Sequence, residues 1–559
     1  MNDLNQLLGT LRADGVRLWV HQGRLRYTAS RPLAPEMLDT LRRFRTEVVT
    51  LLERERPTRE TPLADWPRPE RIPLSLGQGG MWFIGQLDDR PATYNVTTVL
   101  RLEGALDVAA LRRAVRELSC RHESLRTTFP TVDGVGVQVV GEATDLTVTD
   151  LSGRSERERA ARLSALIREH HGRAFALATG PLFLTELVRL TGREHVLVVN
   201  AHHIVVDGPS TGILFEELDA LYAAFARGGE SPLPPPVAQY ADYTLWQRAW
   251  LQGDELDRQL AYWRSRLAGA AGSLNLPTDF PRPAVGTSAG AMVEFTVPAP
   301  VVDGLDGLAR THSATLFTVL LAGFQALLSR WARQEDVSVG LPVDSRGHRD
   351  AERLVGYFVN TVVLRSVVQR QATFANLVDL VRDGLAADYE HRDVPFDRVV
   401  ADLAPDRSLG RHPLFQVMFA YLGPSGTKLG DLRVTTVPAE ELTAKFDLTL
   451  WVTRPEPGQA ARAGFEYARD LFRPETVQRL AASFVALLEG AVGQPGRRVA
   501  DLPLLSSFDL VEMVRRRSAP PADSWSGRLL HGLFEEQVRR VPGAVAVRVG
   551  GVEVSYGEL

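Results

Sequence analysis

Leu4, Leu7, Leu8 and Leu11 recur at the spacing of one helical face, and Asp14-Gly15 ends the pattern. Residues 16–20 (VRLWV) and 24–27 (RLRY) then flank His21-Gln22-Gly23, which predicts a β-hairpin with a glycine-containing turn. A second helical region, 35–52, in one piece or split, completes an α-β-β-α order. Residues 53–70 carry Pro57, Pro62, Pro67 and Pro69 among charges and read as a proline-stiffened linker. From 71 to about 510, amphipathic helices such as 108–120 mix with apolar strands such as 196–201, which predicts a large α/β (α+β) region. A second linker with Pro520-Pro521 spans 515–527. A helix over 530–540 and a strand pair over 545–554 follow. A stretch that short builds no core of its own, so the expectation is that the sequence continues into a further domain.

Composition narrows the class. The 559 residues exceed one ordinary domain, and 44% hydrophobic with 24% charged residues suits water-soluble globular domains. No apolar run reaches about 18 residues, and no basic n-region precedes an apolar stretch at the start, so neither a membrane span nor a secretory signal is expected. A lone cysteine, Cys120, forms no intramolecular disulfide, which fits a reducing cytoplasm. Its helical pattern reads it as a small core residue rather than a nucleophile. A net charge of -4 gives no reason to expect nucleic acid. Of the 64 basic residues only Lys428 and Lys445 are lysines. Residues 1–52 run against the overall sign, with eight arginines and five acids. Arg24 and Arg26 share a strand face by the period of two. This small basic unit buries little alone. It is either a solvated face or a surface for a partner or a second copy.

The candidate chemistry lies at 201–208 (AHHIVVDG). An apolar strand delivers His202 and His203 at its end, and Asp207-Gly208-Pro209 opens a helix. Imidazole titrates near neutrality and suits proton transfer. Asp207 either orients a histidine or braces the loop. Two core histidines satisfied by backbone are the plainer alternative. A metal centre lacks a third ligand at suggestive spacing.

H-H-x-x-x-D-G is the signature of the condensation-domain superfamily of non-ribosomal peptide synthetases, relatives of chloramphenicol acetyltransferase. The other motifs follow in order. Residues 74–82 (LSLGQGGMW) resemble the opening motif, with Gly77 and Gly80 where alanine and a basic residue are usual. Residues 121–129 (RHESLRTTF) and 240–246 (YADYTLW) resemble the second and fourth. Residues 340–346 (GLPVDSR) and 356–361 (GYFVNT) resemble the fifth, 391–397 (HRDVPFD) the sixth, and 407–415 (RSLGRHPLF) the seventh, with His412 in place of asparagine. Residues 1–52 resemble the tubulysin-type N-terminal docking domain, and 554–559 (VSYGEL) the first core motif of an adenylation domain.

The resemblance implies a V-shaped pseudo-dimer of two acetyltransferase-like lobes, at about 71–245 and 246–515, behind a small αββα docking domain. It implies amide formation between an upstream carrier-bound acyl or peptidyl thioester and a downstream carrier-bound aminoacyl thioester. No cofactor is bound tightly; the substrates ride on phosphopantetheine of separate carriers. His203 is implied as the catalytic histidine and His202 as its less direct partner. Asp207 is implied in a structural ion pair with Arg126, and the Gly208 N–H as an oxyanion donor. Asn360, Ser210 and Trp82 are tunnel or substrate candidates, with backbone satisfaction or packing as the alternatives for Asn360 and Trp82. Arg17, Trp19, Arg24 and Arg26 would meet the acidic C-terminal tail of an upstream synthetase, peptide or polyketide. The rivals are a condensation-like recruitment platform without activity and a domain that adds a step such as dehydration. An epimerase relative fits the motif order poorly, and a heterocyclising one would carry D-x-x-x-x-D.

Overall fold

The computed structural model describes residues 11, 16–21, 24–28, 33–54, 58–87, 92–284, 286–403, 412–423, 427–437, 442–505, 510–511, 529–549 and 551–559. The chain divides into two compact units, Met1–Leu504 and Leu505–Leu559.

At the start of the first unit, β1 (Arg17–His21) pairs antiparallel with β2 (Arg24–Thr28), with Trp19 opposite Arg26 and His21 opposite Arg24. α1 (Pro35–Arg43) and α2 (Arg45–Arg54) follow, split at Phe44. Leu11, Val16 and Leu41 are buried together. Arg26 is exposed. The turn at 22–23, most of the first predicted helix, and the side chains of Arg17, Trp19 and Arg24 lie outside the described residues.

The expected linker is a packed strap over its described part. Leu63 is buried with Tyr240, Tyr243, Trp246, Leu354 and Phe358, a burial worth about 1.5–3 kcal/mol. The Thr58 carbonyl accepts from Trp246 Nε1 at 2.9 Å, and the Thr61 carbonyl from His348 Nε2 at 2.8 Å. Arg68 grips Asp242 (2.7 Å) and Glu123 (2.8 Å), while Arg59 reaches Asp393 at 2.5 Å. The apolar and arginine side chains between the prolines anchor it.

The first lobe begins with α3 (Leu76–Leu87). Its sheet carries β3 (Asn95–Glu103), β4 (Leu146–Asp150), β5 (Phe183–Arg189) and β6 (Glu194–His202). A further strand, Arg433–Thr436, comes from the far end of the chain to pair with β3, so the first lobe's sheet is completed from beyond residue 245. β6 lies between β3 and β5. Its Leu197 and Ala201 join one buried cluster, and Val196 and Val198 another. Both faces are covered, which is why 196–201 reads as an apolar run broken at Asn200, whose side chain accepts from Thr97 and donates to the His170 carbonyl. α4 (Val108–Arg121) packs with α6 (Gly208–Ala226) on one face. α5 (Glu156–His171), started by a Ser155/Glu158 capping box, covers the other.

α7 (Tyr240–Trp250) leads to the second lobe, where α8 (Asp254–Leu267) precedes a seven-stranded sheet. Its strands are β7 (Ala289–Val297), β8 (Asp336–Asp344), β9 (Val359–Val367), β10 (Val417–Leu422), β11 (Leu442–Thr443), β12 (Leu448–Thr453) and β13 (Ala461–Ala468), in the order β9-β8-β10-β12-β13-β7-β11. The helix Leu316–Ala332 is buried almost all round. Among the described residues no single helix is long and apolar enough to cross a membrane, and no cluster of three metal-ligating side chains forms.

The second unit holds a helix, Leu530–Arg540, and a paired hairpin, Val545–Val549 with Val552–Ser555, as the pattern predicts. The linker at 515–527 lies outside the described residues.

Candidate active site

β6 ends at His202, and the chain turns at once into α6. Two backbone bonds fix the turn: His202 N–H donates to the Leu182 carbonyl at 2.9 Å, and His203 N–H to the Tyr94 carbonyl at 2.8 Å. The two imidazoles then part. His202 is buried, and its Nδ1 accepts from Ile204 N–H at 3.1 Å. Burial, then the neighbouring His203 imidazole and Lys445, push its pKa down to about 3, so it stays neutral. His203 is half-buried, and its Nδ1 faces the Val206 carbonyl at 2.8 Å. A carbonyl only accepts, so Nδ1 carries the proton and Nε2 holds the lone pair. Burial and Lys445 lower its pKa, against a smaller raising effect of Asp207. The Tyr357 ring meets the His203 ring edge-on at 5.3 Å.

Asp207 is fully buried and every bond it makes is structural. Oδ1 caps α6 by accepting from Ser210 N–H at 2.8 Å, and Oδ2 accepts from Phe358 N–H at 2.9 Å. Its ion-pair partner is Arg346, not Arg126: Arg346 Nη2 donates to Oδ1 at 3.1 Å and Nη1 to Oδ2 at 3.4 Å. Arg126 instead donates to the carbonyls of Gly141 (2.8 Å) and Cys120 (3.5 Å). The Arg346 guanidinium lies 4.0 Å over the Phe358 ring and comes from the second lobe.

Ser210, a tunnel or substrate candidate, has its hydroxyl engaged within the protein. It is buried, its hydroxyl donates to the Gly356 carbonyl at 2.9 Å, and it accepts from Gly356 N–H and Arg346. Asn360 spends its amide on backbone, donating to Arg392 and Val394 carbonyls at 2.7 and 2.8 Å and accepting from Phe396 N–H at 3.0 Å. Trp82 packs against the first-lobe core and donates to the Phe129 carbonyl at 3.3 Å. Gly208 is exposed at the first turn of α6, with open space beside its Cα. Cys120 is exposed, contrary to the core reading.

Three residues escaped the sequence reading. Gln78, inside the opening motif, donates to the Ile204 carbonyl at 3.1 Å and so braces the histidine loop. Arg346 ends the fifth motif. Lys445 comes from the second lobe to lie over the Tyr94 ring, and its charge acts on both histidines; its one visible signal was being one of two lysines among the 64 basic residues.

Residues 69–514 match the family described as "Condensation domain". The chain is 38% identical over 520 residues to a linear gramicidin synthase of Brevibacillus parabrevis, covering 92% of this chain and 7% of that protein. It is 37% identical over 497 residues to the phosphinothricin tripeptide synthetase PhsC of Streptomyces viridochromogenes, covering 87% and 45%. The chain therefore spans less than half the length of these relatives. Among solved structures, the X-domain from teicoplanin biosynthesis, in complex with OxyB, aligns with a TM-score of 0.71 at 30% identity over 81% of this chain and 99% of that one. The four-domain synthetase holo-AB3403 shares the fold, with a TM-score of 0.72 at 22% identity over 88% and 38%. The chain belongs to the condensation-domain family of non-ribosomal peptide synthetases, acyltransferase-like enzymes that form peptide bonds.

Proposed function

We propose that this chain joins an acyl or peptidyl thioester on an upstream carrier to an aminoacyl thioester on a downstream carrier, with His203 Nε2 handling the proton of the attacking amine. The observation that supports this most is the His203 Nδ1 contact with the Val206 carbonyl, which leaves Nε2 as the acceptor. The lowered pKa keeps that acceptor unprotonated at neutral pH. Proton transfer of this kind contributes about 10²–10⁴-fold, and positioning two tethered reactants as much or more. Gly208 N–H, at a helix start, is the proposed backbone donor to the oxyanion. The phosphopantetheine belongs to the carriers, and both substrates arrive on it.

The segment at 1–52 is proposed to recruit the upstream synthetase. Its two-stranded sheet has edges unpaired among the described residues, and an extended acidic tail adding to one would gain main-chain hydrogen bonds. Arg26 stands exposed beside it, and Arg24 shares its strand face by register.

Intact-protein mass spectrometry tests the condensation reading, with the chain mixed with the two loaded carriers of its own synthetase. A condensed product on the downstream carrier, slowed in His203→Ala, is expected. A recruitment platform is the second reading, favoured by the likeness to a domain solved in complex with another protein. A folded wild type that leaves both loaded carriers unchanged would select it.

A further inference from the structure

Lys445 follows β11 in the second lobe, yet its charge lands on the first. Its Nζ sits 4.7 Å from the centroid of the Tyr94 ring. The Tyr94 carbonyl accepts the His203 N–H at 2.8 Å, and the Tyr94 ring lies 6.4 Å from that of His202. The ammonium is thus carried across the lobe junction onto the tyrosine that neighbours the histidine pair, near enough for its charge to lower the pKa of both histidines. Its side chain remains open to solvent. It is ringed by enough protein that desolvation lowers its pKa. Glu466 on β13 acts on it through space, and burial raises the Glu466 pKa. Among the described residues Lys445 forms no ion pair and no hydrogen bond; the π face of Tyr94 holds it. A cation held that way keeps its three N–H donors for something else.

We propose that Lys445 is a catalytic residue of the condensation step, its ammonium binding the oxyanion that forms when the donor carbonyl is attacked beside His203. This rests on the condensation reading. The acceptor amine forms a C–N bond to the thioester carbon, and the carbonyl π pair moves onto oxygen. As that pair returns, the C–S bond breaks and the pantetheine thiolate leaves. The amine proton passes through His203 Nε2 to the sulfur, giving amide and thiol. The oxyanion is the one new negative charge before the thiolate departs. A partly desolvated ammonium attracts it far more strongly than one in bulk water. The groups that set the local charge are His202, His203, Tyr94 and Asp207 from the first lobe, and Tyr357, Lys445 and Glu466 from the second.

The test uses the full chain with the upstream and downstream carriers of its own synthetase. These are loaded from a panel of acyl- and aminoacyl-coenzyme A, and rates are read on the pair the wild type condenses fastest. Lys445→Met is expected to slow single-turnover condensation about 10²–10³-fold with its melting temperature unchanged. Lys445→Arg is expected to recover most of that rate. Losing the positive neighbour also moves the acid limb of the pH–rate profile upward in Lys445→Met, so rates are compared on the plateau above that limb, where both proteins hold His203 unprotonated. If the Met variant melts early, Lys445→Gln carries the same comparison. A Met or Gln variant within about threefold of wild type on that plateau overturns the proposal, as does an Arg variant as slow as Met. A wild type that condenses nothing removes the condensation reading itself, and the proposal with it.

Discussion

Arg346 of the second lobe closes a two-pronged ion pair on Asp207 of the first, Nη2 to Oδ1 at 3.1 Å and Nη1 to Oδ2 at 3.4 Å. Asp207 also caps the helix that carries Gly208 and accepts from Phe358 N–H. One buried carboxylate therefore ties the histidine loop, the helix start and the other lobe together. Removing one member of such a pair strands the other, at about 3–5 kcal/mol. Arg346→Ala should show that loss in urea denaturation and abolish condensation. Arg126→Ala should leave the Asp207 contacts intact and cost much less. Equal losses for the two arginines would contradict the pairing.

The same pair shows where sequence reading stops. The α/β class was legible because hydrophobic runs and turn residues are local signals, whereas the two-lobed fold came from the resemblance carried by the motif order. The histidine at a strand end was legible for the same reason. The partner of Asp207 was not: Arg126 and Arg346 are both arginines in motifs, and only the meeting of two lobes, which brings together residues 139 apart in the chain, decides between them. Cys120 failed on helical phase. α4 buries Ala110, Leu111, Ala114, Val115, Leu118 and Ser119, and one further residue turns Cys120 outward. Residues 53–70 read as linker from their prolines, whereas Leu63, Arg59 and Arg68 find partners far along the chain.

The tautomer of His203 makes a signed prediction. With Nδ1–H held by Val206, Nε2 must be unprotonated to accept a proton. Burial and Lys445 lower its pKa, so the base form persists below the ordinary imidazole value of about 6.5. Activity should hold through neutrality and fall only as pH drops through the lowered value. His203→Ala should slow single-turnover condensation about 10²–10⁴-fold without changing the melting temperature. An acid limb above the ordinary imidazole value in the wild type would contradict the assignment.

His202 makes a separate prediction about stability. Its folded pKa of about 3 lies well below the unfolded value. Between those values the unfolded chain binds the extra proton, so stability rises with pH across that window. Acidification from about pH 6.5 should progressively destabilise the protein, by at most about 4–5 kcal/mol from this group once pH passes below the folded value. His202→Asn keeps an acceptor for Ile204 N–H and does not titrate. Its melting temperature should therefore fall less steeply between pH 6.5 and 4 than that of the wild type. Parallel slopes would remove His202 from the acid response.

Arg24→Glu with Arg26→Glu addresses the proposed recruitment surface. The paired strands put both positions on one face of β2, where an acidic tail would be attracted by two positive charges and repelled by two negative ones. The double variant should weaken transfer from the upstream synthetase carrying its native tail. It should leave condensation unchanged when the upstream carrier is supplied in excess without the tail. Undiminished transfer with the tail present would sink the docking role.

Gly356 joins the core to the site most tightly. A Cβ there would stand 1.9 Å from Cδ2 and 2.4 Å from Cε2 of Tyr240. That ring has no room to retreat: it is 2% exposed and T-stacked on Phe358 at 5.0 Å. Its hydroxyl contacts the Ser75 hydroxyl at 2.9 Å and donates to the Tyr357 carbonyl at 2.6 Å. Gly356 also exchanges both backbone bonds with Ser210. Gly356→Ala must therefore move the backbone that leads into Tyr357, whose ring meets His203. Overpacking of this kind costs about 1–3 kcal/mol, occasionally more. Thermal melting should show that loss. Condensation by the fraction that remains folded should be slower, because the His203 ring loses the edge contact that holds it. A variant that melts and condenses like wild type would mean that Tyr240 yields more easily than its packing implies.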